Sequence, residues 1–160
     1  MNEDSVLRKQ LVDLLRGGNA HVDFEKAIAG LPAKLRGARV PSLPYSAWGL
    51  LEHLRLAQWD ILEFVRNPKH VSPKWPEGYW PKDDAPADSA AWNASVAAFR
   101  RDLNALQALV KNPATNLSAA IPHGDGQTIL REALLAADHN AYHLGEMVAL
   151  RRLLGAWDAK

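Results

Sequence analysis

Residues 128–155 read TILREALLAADHNAYHLGEMVALRRLLG, and their periodicity settles the fold class. Apolar side chains return every three to four positions, the repeat of an amphipathic helix and not the two-residue alternation of a strand. Gly155 is a natural stop, and the spacing predicts one long helix from about Thr128 to Leu154. At about 100° per residue, with His139 at zero, His143 falls about 40° away, and both lie inside the apolar stripe. Leu135, Ala136, Tyr142, Met147, Leu150, Leu153 and Leu154 share that stripe. Glu132 and Glu146, a heptad to either side of His139, point within about 20° of it. The face therefore mixes core and charge. Burying carboxylates or imidazoles without partners is costly, so this cluster has to satisfy itself internally or coordinate an ion.

Working toward the N-terminus, three more helical patterns appear. One opens near Asp88 or Ser89 and runs to about Lys111, with Trp92, Val96, Phe99, Leu103, Leu106 and Val110 inward and Asn112-Pro113 as its stop. Another starts after Ser46 and runs to about Arg66, with a stripe of Leu50, Leu51, Leu54, Ala57, Ile61, Phe64 and Val65, closed by Asn67-Pro68. The first begins near Ser5, is interrupted at Gly17-Gly18, and resumes around Val22 to Leu31 with Asn19 as its cap. The chain reads as all-α, with helix lengths that suit an antiparallel bundle in one domain, residues 1–160. Between the second and third patterns, Pro68 to Ala87 holds half of the ten prolines together with Trp75, Tyr79 and Trp80. A connection that long with three large rings predicts an ordered flap packed through those rings.

Composition narrows the chemistry. Lys and Arg number 19 against 18 Asp and Glu, so bulk charge supplies no excess of cations for nucleic acid or for an anionic membrane. No stretch reaches the roughly 18 apolar residues of a membrane helix, and Met1 to Arg16 lacks the apolar run of a signal peptide. The chain has no Cys, which excludes disulfides, thiolate nucleophiles, Cys-type zinc sites and iron–sulfur clusters. That usage suits a cytoplasmic protein. Any metal must be held by His, carboxylate or carbonyl oxygen.

His139 and His143, one helical turn apart, can offer imidazole nitrogens to one ion. By spacing alone the pair equally suits hydrogen-bonded core histidines; the inward carboxylates favour the ion. His53, at the edge of the apolar face of the second long helix, is the best third ligand, since helical proteins build metal sites between facing helices. His21, His70 and His123 fall in or near turns and are expected to be solvated. Asp60, a heptad after His53, is placed either to orient a ligand or bound water or to stand as a surface carboxylate. Tyr142 can bring a hydroxyl to the site or serve as a core ring with its hydroxyl at the boundary.

Leu50-Leu51-Glu52-His53-Leu54, with Ala137-Asp138-His139-Asn140-Ala141-Tyr142-His143-Leu144-Gly145-Glu146 and Leu150-Arg151-Arg152-Leu153-Leu154-Gly155, resembles the DinB/YfiT-like superfamily, over nearly the whole chain. The resemblance implies a four-helix bundle with long inter-helix connections, commonly a homodimer, holding a divalent metal through three His; by position these are His53, His139 and His143. Glu146 stands where relatives often have Gln. Some relatives are transferases or isomerases that use bacillithiol, mycothiol or similar low-molecular-weight thiols.

Three neutral imidazoles leave the charge of an M²⁺ ion uncancelled, so a bound water or thiol is acidified into a nucleophile. The expected function is a divalent-metal-dependent transferase or hydrolase acting on a small-molecule substrate, with Zn or Ni first and Fe or Mn next as the ion. Any thiol must come from outside the chain. Glu132 and Glu146 are the candidate proton acceptors, with Tyr142 beside them. The alternative is a non-catalytic, stress-related helical protein with a metal-binding site.

Overall fold

Each helix begins at a side chain that satisfies its free backbone N–H groups. In the computed structural model, which describes residues 2–157, α1 spans Glu3–Arg16 behind Asn2, whose Oδ1 accepts from Ser5 N–H at 2.9 Å. The short α2, Phe24–Ile28, is capped by Asp23. Ser46 caps α3, Ala47–Arg66; Asp88 caps α4, Ser89–Lys111; Thr128 caps α5, Ile129–Leu153. Two 3-10 turns, Ala33–Leu35 and Glu77–Tyr79, lie in the connections. Among the described residues the structure is all-helical, with one isolated antiparallel bridge, Ala120 to Thr128, and no named strand. None of the described helices is long and apolar enough to cross a membrane.

The four long helices pack in a ring: α3 against α4 and α5, and α1 against the same two. Residue pairs set their directions. Trp48 meets Trp92 and Ser95 bonds Glu52, so α3 and α4 run parallel. His53 meets His143 and Gln58 bonds Asn140, so α3 and α5 run antiparallel. The Arg8 guanidinium caps the far end of α4 through the carbonyls of Val110, Asn112 and Thr115, which sets α1 antiparallel to α4. The long helices are thus not all antiparallel, although their lengths suggested that they would be: the connection from Asn67 to Asp88 runs back along α3 before α4 begins.

Two apolar clusters fill the interior. Leu50, Leu51, Leu54, Phe99, Met147 and Leu150 belong to one, and Leu11, Leu15, Leu62, Leu106, Val110 and Ala133 to the other. Full burial of each large apolar side chain contributes about 1.5–3 kcal/mol. Between the clusters Gln58, fully buried, donates to the Phe99 carbonyl at 2.8 Å and accepts from Asn140 Nδ2 at 2.9 Å. This bridge ties α3, α4 and α5 together just below the histidines and fixes their register.

Several local expectations shift. α1 starts at Glu3 and not near Ser5, because Asn2 supplies the cap. Gly17 and Gly18, at φ of 72° and 82°, end α1, and the chain restarts behind Asp23, while Asn19 instead donates its Nδ2 to the Asp13 carbonyl at the end of α1. Tyr142 and Leu153, counted with the inward stripe of α5, face outward at 65% and 59% exposure. The stripe is interrupted because α5 is covered on one side by α3 and on another by α1, and neither reaches this face.

Candidate metal centre

α3 and α5 bring three imidazoles to one point. His53 is buried, and its Nε2 lies 3.1 Å from Nε2 of His139 and 3.1 Å from Nε2 of His143. Ligand atoms of all three residues lie within 4.8 Å of one another. Sequence spacing accounts for the pair on α5, where His139 and His143 are one turn apart, and the packing of α3 brings His53 to both.

The outer nitrogens determine what the inner ones can do. His53 Nδ1 lies 3.0 Å from the Tyr79 carbonyl and His143 Nδ1 lies 2.6 Å from Glu146 Oε2. Both partners accept only, so both Nδ1 atoms carry the proton and, in the neutral rings, both Nε2 atoms present lone pairs. Two lone pairs facing each other at 3.1 Å repel unless a cation sits between them. Outer N–H groups held by a carbonyl and a carboxylate are also the usual surroundings of metal-ligating histidines. The donor set fits a divalent ion: three imidazole nitrogens, two of them with tautomers fixed for coordination. His139 Nδ1 is buried with no well-formed hydrogen bond, only Asn140 standing beside it.

A family model for the DinB superfamily matches residues 19–147, a span that runs from within the α1–α2 connection through the histidines of α5. The chain belongs to the DinB superfamily. No curated protein and no solved structure matches it.

Around the triad of this DinB chain stand residues that sequence spacing did not single out. The Trp80 ring stacks on His53 with centroids 4.0 Å apart and planes 4° apart, and meets His143 edge-on. Tyr45 stacks on Trp80; burial, with the Glu146 carboxylate nearby, pushes its phenol far above the ordinary range. Neither Tyr45 nor Trp80 lies on a helix, so no periodicity could mark them. Gln58 had a signal: a polar residue midway between Leu54 and Leu62 at core spacing.

The remaining candidates divide. Glu146 joins the cluster through His143, and the Tyr142 ring stands edge-on to His143 with centroids 4.9 Å apart. Glu132 is buried but pairs with Arg131 at 2.6 Å, among the residues of the other apolar cluster. It stands about 10 Å along the helix from His139. His21 and His123 are exposed and bond the carbonyls of Val22 and Phe64. His70 is not solvated: its side chain is 7% exposed and bonds Asp60. The flap is ordered through Tyr79 and Trp80, while Trp75 is exposed.

In this DinB site, burial pushes the His139 imidazole down to about 3, with His143 and His53 adding to the effect. Burial and His143 also lower His53, against the Tyr79 carbonyl. In metal-free protein, the unfolded chain therefore takes up protons at these positions at a pH where the folded chain does not, since free His titrates near 6.5. The contribution to stability is present above about 6.5 and is lost as pH falls toward about 3. Thermal melts in chelator should show Tm dropping through this window, and His139→Gln should flatten the drop. Identical profiles for the two proteins contradict the assignment.

Proposed function

We propose that the chain is a metal-dependent enzyme whose ion is held by His53, His139 and His143. The observation that carries this is the convergence of three Nε2 atoms, two with their ring protons committed elsewhere. On this reading the four long helices are the family's four-helix bundle in one domain, and the ion is Zn or Ni first, Fe or Mn next. When bound, the ion lowers the pKa of a water or thiol that reaches its open position.

The chain's own residues do the rest. Glu146 accepts a hydrogen bond from His143 Nδ1–H and strengthens that imidazole as a metal ligand. Trp80 shields the His53 ring from water. Tyr142, at the exposed edge of His143, is placed to meet a small-molecule substrate. Glu132, paired to Arg131, serves the packing of α5 and not the reaction. With no Cys in the chain, a transferase reaction draws on an external low-molecular-weight thiol, and a hydrolytic one on water. Leu134, Tyr142 and Leu153, exposed along the outer side of α5, support a homodimer. The cover that Trp80 places over His53 favours a second reading, a metal-binding protein without turnover.

Elemental analysis of native protein, coupled to a screen of thiol transfer and hydrolysis on small electrophiles, tests both. About one equivalent of metal per chain with turnover that chelator abolishes is the expected result. Metal without turnover selects the non-catalytic reading, and metal-free native protein that takes up no added Zn²⁺ or Ni²⁺ refutes both.

A further inference from the structure

A second polar cluster lies beside the triad, where the 67–88 connection meets α3. Asp60 is 14% exposed at its side chain; its Oδ1 accepts from His70 Nε2 and its Oδ2 from the Tyr79 hydroxyl, each at 2.6 Å. Both donors come from the connection, so one carboxylate pins that connection to α3 at two points. His70 is further held edge-on against Trp59, with centroids 5.1 Å apart.

Tyr79 is buried, and burial together with Asp60 pushes its phenol up to about 12, so the hydroxyl stays a donor at neutral pH. The backbone carbonyl of the same residue accepts from His53 Nδ1 at 3.0 Å. Tyr79 therefore grips α3 twice, two turns or about 10 Å apart: by its hydroxyl at Asp60 and by its carbonyl at His53. The turn that delivers it has no slack. A Cβ on Gly78 would lie 2.6 Å from Pro73 Cβ and 3.3 Å from the Pro73 backbone. The ring's tie to Asp60 thus helps hold the same closely packed turn whose carbonyl meets His53.

We propose that Asp60 and His70 are positioning residues for His53, acting through Tyr79 to fix the tautomer and direction of that imidazole. Without the carbonyl in place, the His53 proton is free to move to Nε2, and the nitrogen facing the triad then presents a hydrogen where coordination needs a lone pair. The inference rests on the reading of the triad as a metal centre.

Co²⁺ titration of the full chain, followed by visible absorption, provides the test. Tyr79→Phe keeps the carbonyl and removes only its tie to Asp60. Its Co²⁺ affinity should fall roughly tenfold, the lower end of the roughly 10–100-fold that outer partners of metal ligands carry, with a shifted absorption band. In a His53→Ala background the same change should have no further effect on affinity. His70→Gln, which keeps an N–H for Asp60, should recover most of the affinity that His70→Ala loses. If Tyr79→Phe does not fold by circular dichroism, the His70 pair carries the comparison. Variants that melt earlier yet bind Co²⁺ with unchanged affinity and spectrum overturn the relay and leave the metal centre standing. A wild-type chain that takes up no Co²⁺ overturns both.

Discussion

His139→Ala or His143→Ala is expected to abolish metal retention through gentle purification, while His123→Ala retains it. Each of the first two removes one of three nitrogens that meet within 4.8 Å, and the remaining pair binds a divalent ion only weakly. The loss should exceed the roughly 10–100-fold typical of outer partners. His143→Ala carries an added penalty, because Glu146 then loses the imidazole N–H it receives. His123 makes its bond to the Phe64 carbonyl on an exposed turn and touches no member of the triad. Metal content by elemental analysis on the three purified variants checks this, and equal content in all three refutes the assignment of the ligands. Because ligand binding to the folded state adds stability, the first two variants should also lose the Tm gain that added metal gives wild type.

Phe99→Ala should be the most damaging of the core truncations outside the site, costing about 3–5 kcal/mol. The ring is 1% exposed and stacks on Phe24 with centroids 4.0 Å apart, joining α4 to α2 in the cluster that also holds Leu50, Leu54 and Met147. Its removal leaves a cavity that helices on both sides are too constrained to fill. Its backbone carbonyl is also the acceptor for Gln58, so relaxation of α4 around the cavity disturbs the bridge that sets the register of the histidines. Against a total stability of about 5–15 kcal/mol, the cost is a large fraction, and Tm should fall by about 6–20 °C. Val71→Ala, at 84% exposure, should change stability by no more than about 0.5 kcal/mol. Chemical denaturation of both variants checks the contrast. A Phe99→Ala cost below about 1 kcal/mol contradicts the packing described.

Much of the architecture could be read before any coordinates, because the signals are local. Ser46 caps the helix it precedes, α4 and α5 open beside Asp88 and Thr128, and the apolar positions of α4 from Trp92 to Val110 face inward as their spacing implies. The pairing of His139 with His143 is likewise a property of one helix, legible at a spacing of four residues. His53 was harder, since its value depends on which helix α3 faces, yet its place at the edge of an apolar stripe pointed to it.

Other features depend on how distant segments meet, and adjacency in the chain carries no information about that. Glu132 and Glu146 share one direction on a helical wheel, but a wheel ignores position along the axis. They stand about 21 Å apart, and only Glu146 reaches His143. The parallel course of α3 and α4 follows from the crossing of the 67–88 connection, which its length permits but does not dictate. That crossing buries His70 against Asp60 and delivers the Tyr79 carbonyl to His53 and the Trp80 ring to its face. Six histidines and the absence of cysteine defined which chemistry was open to the chain. Glu146 holds the His143 proton from within α5, but the proton position of His53 is set by packing of the 67–88 connection onto α3, because a hydrogen-bond acceptor acts on whatever folding brings within about 3 Å of it, whatever the distance along the chain.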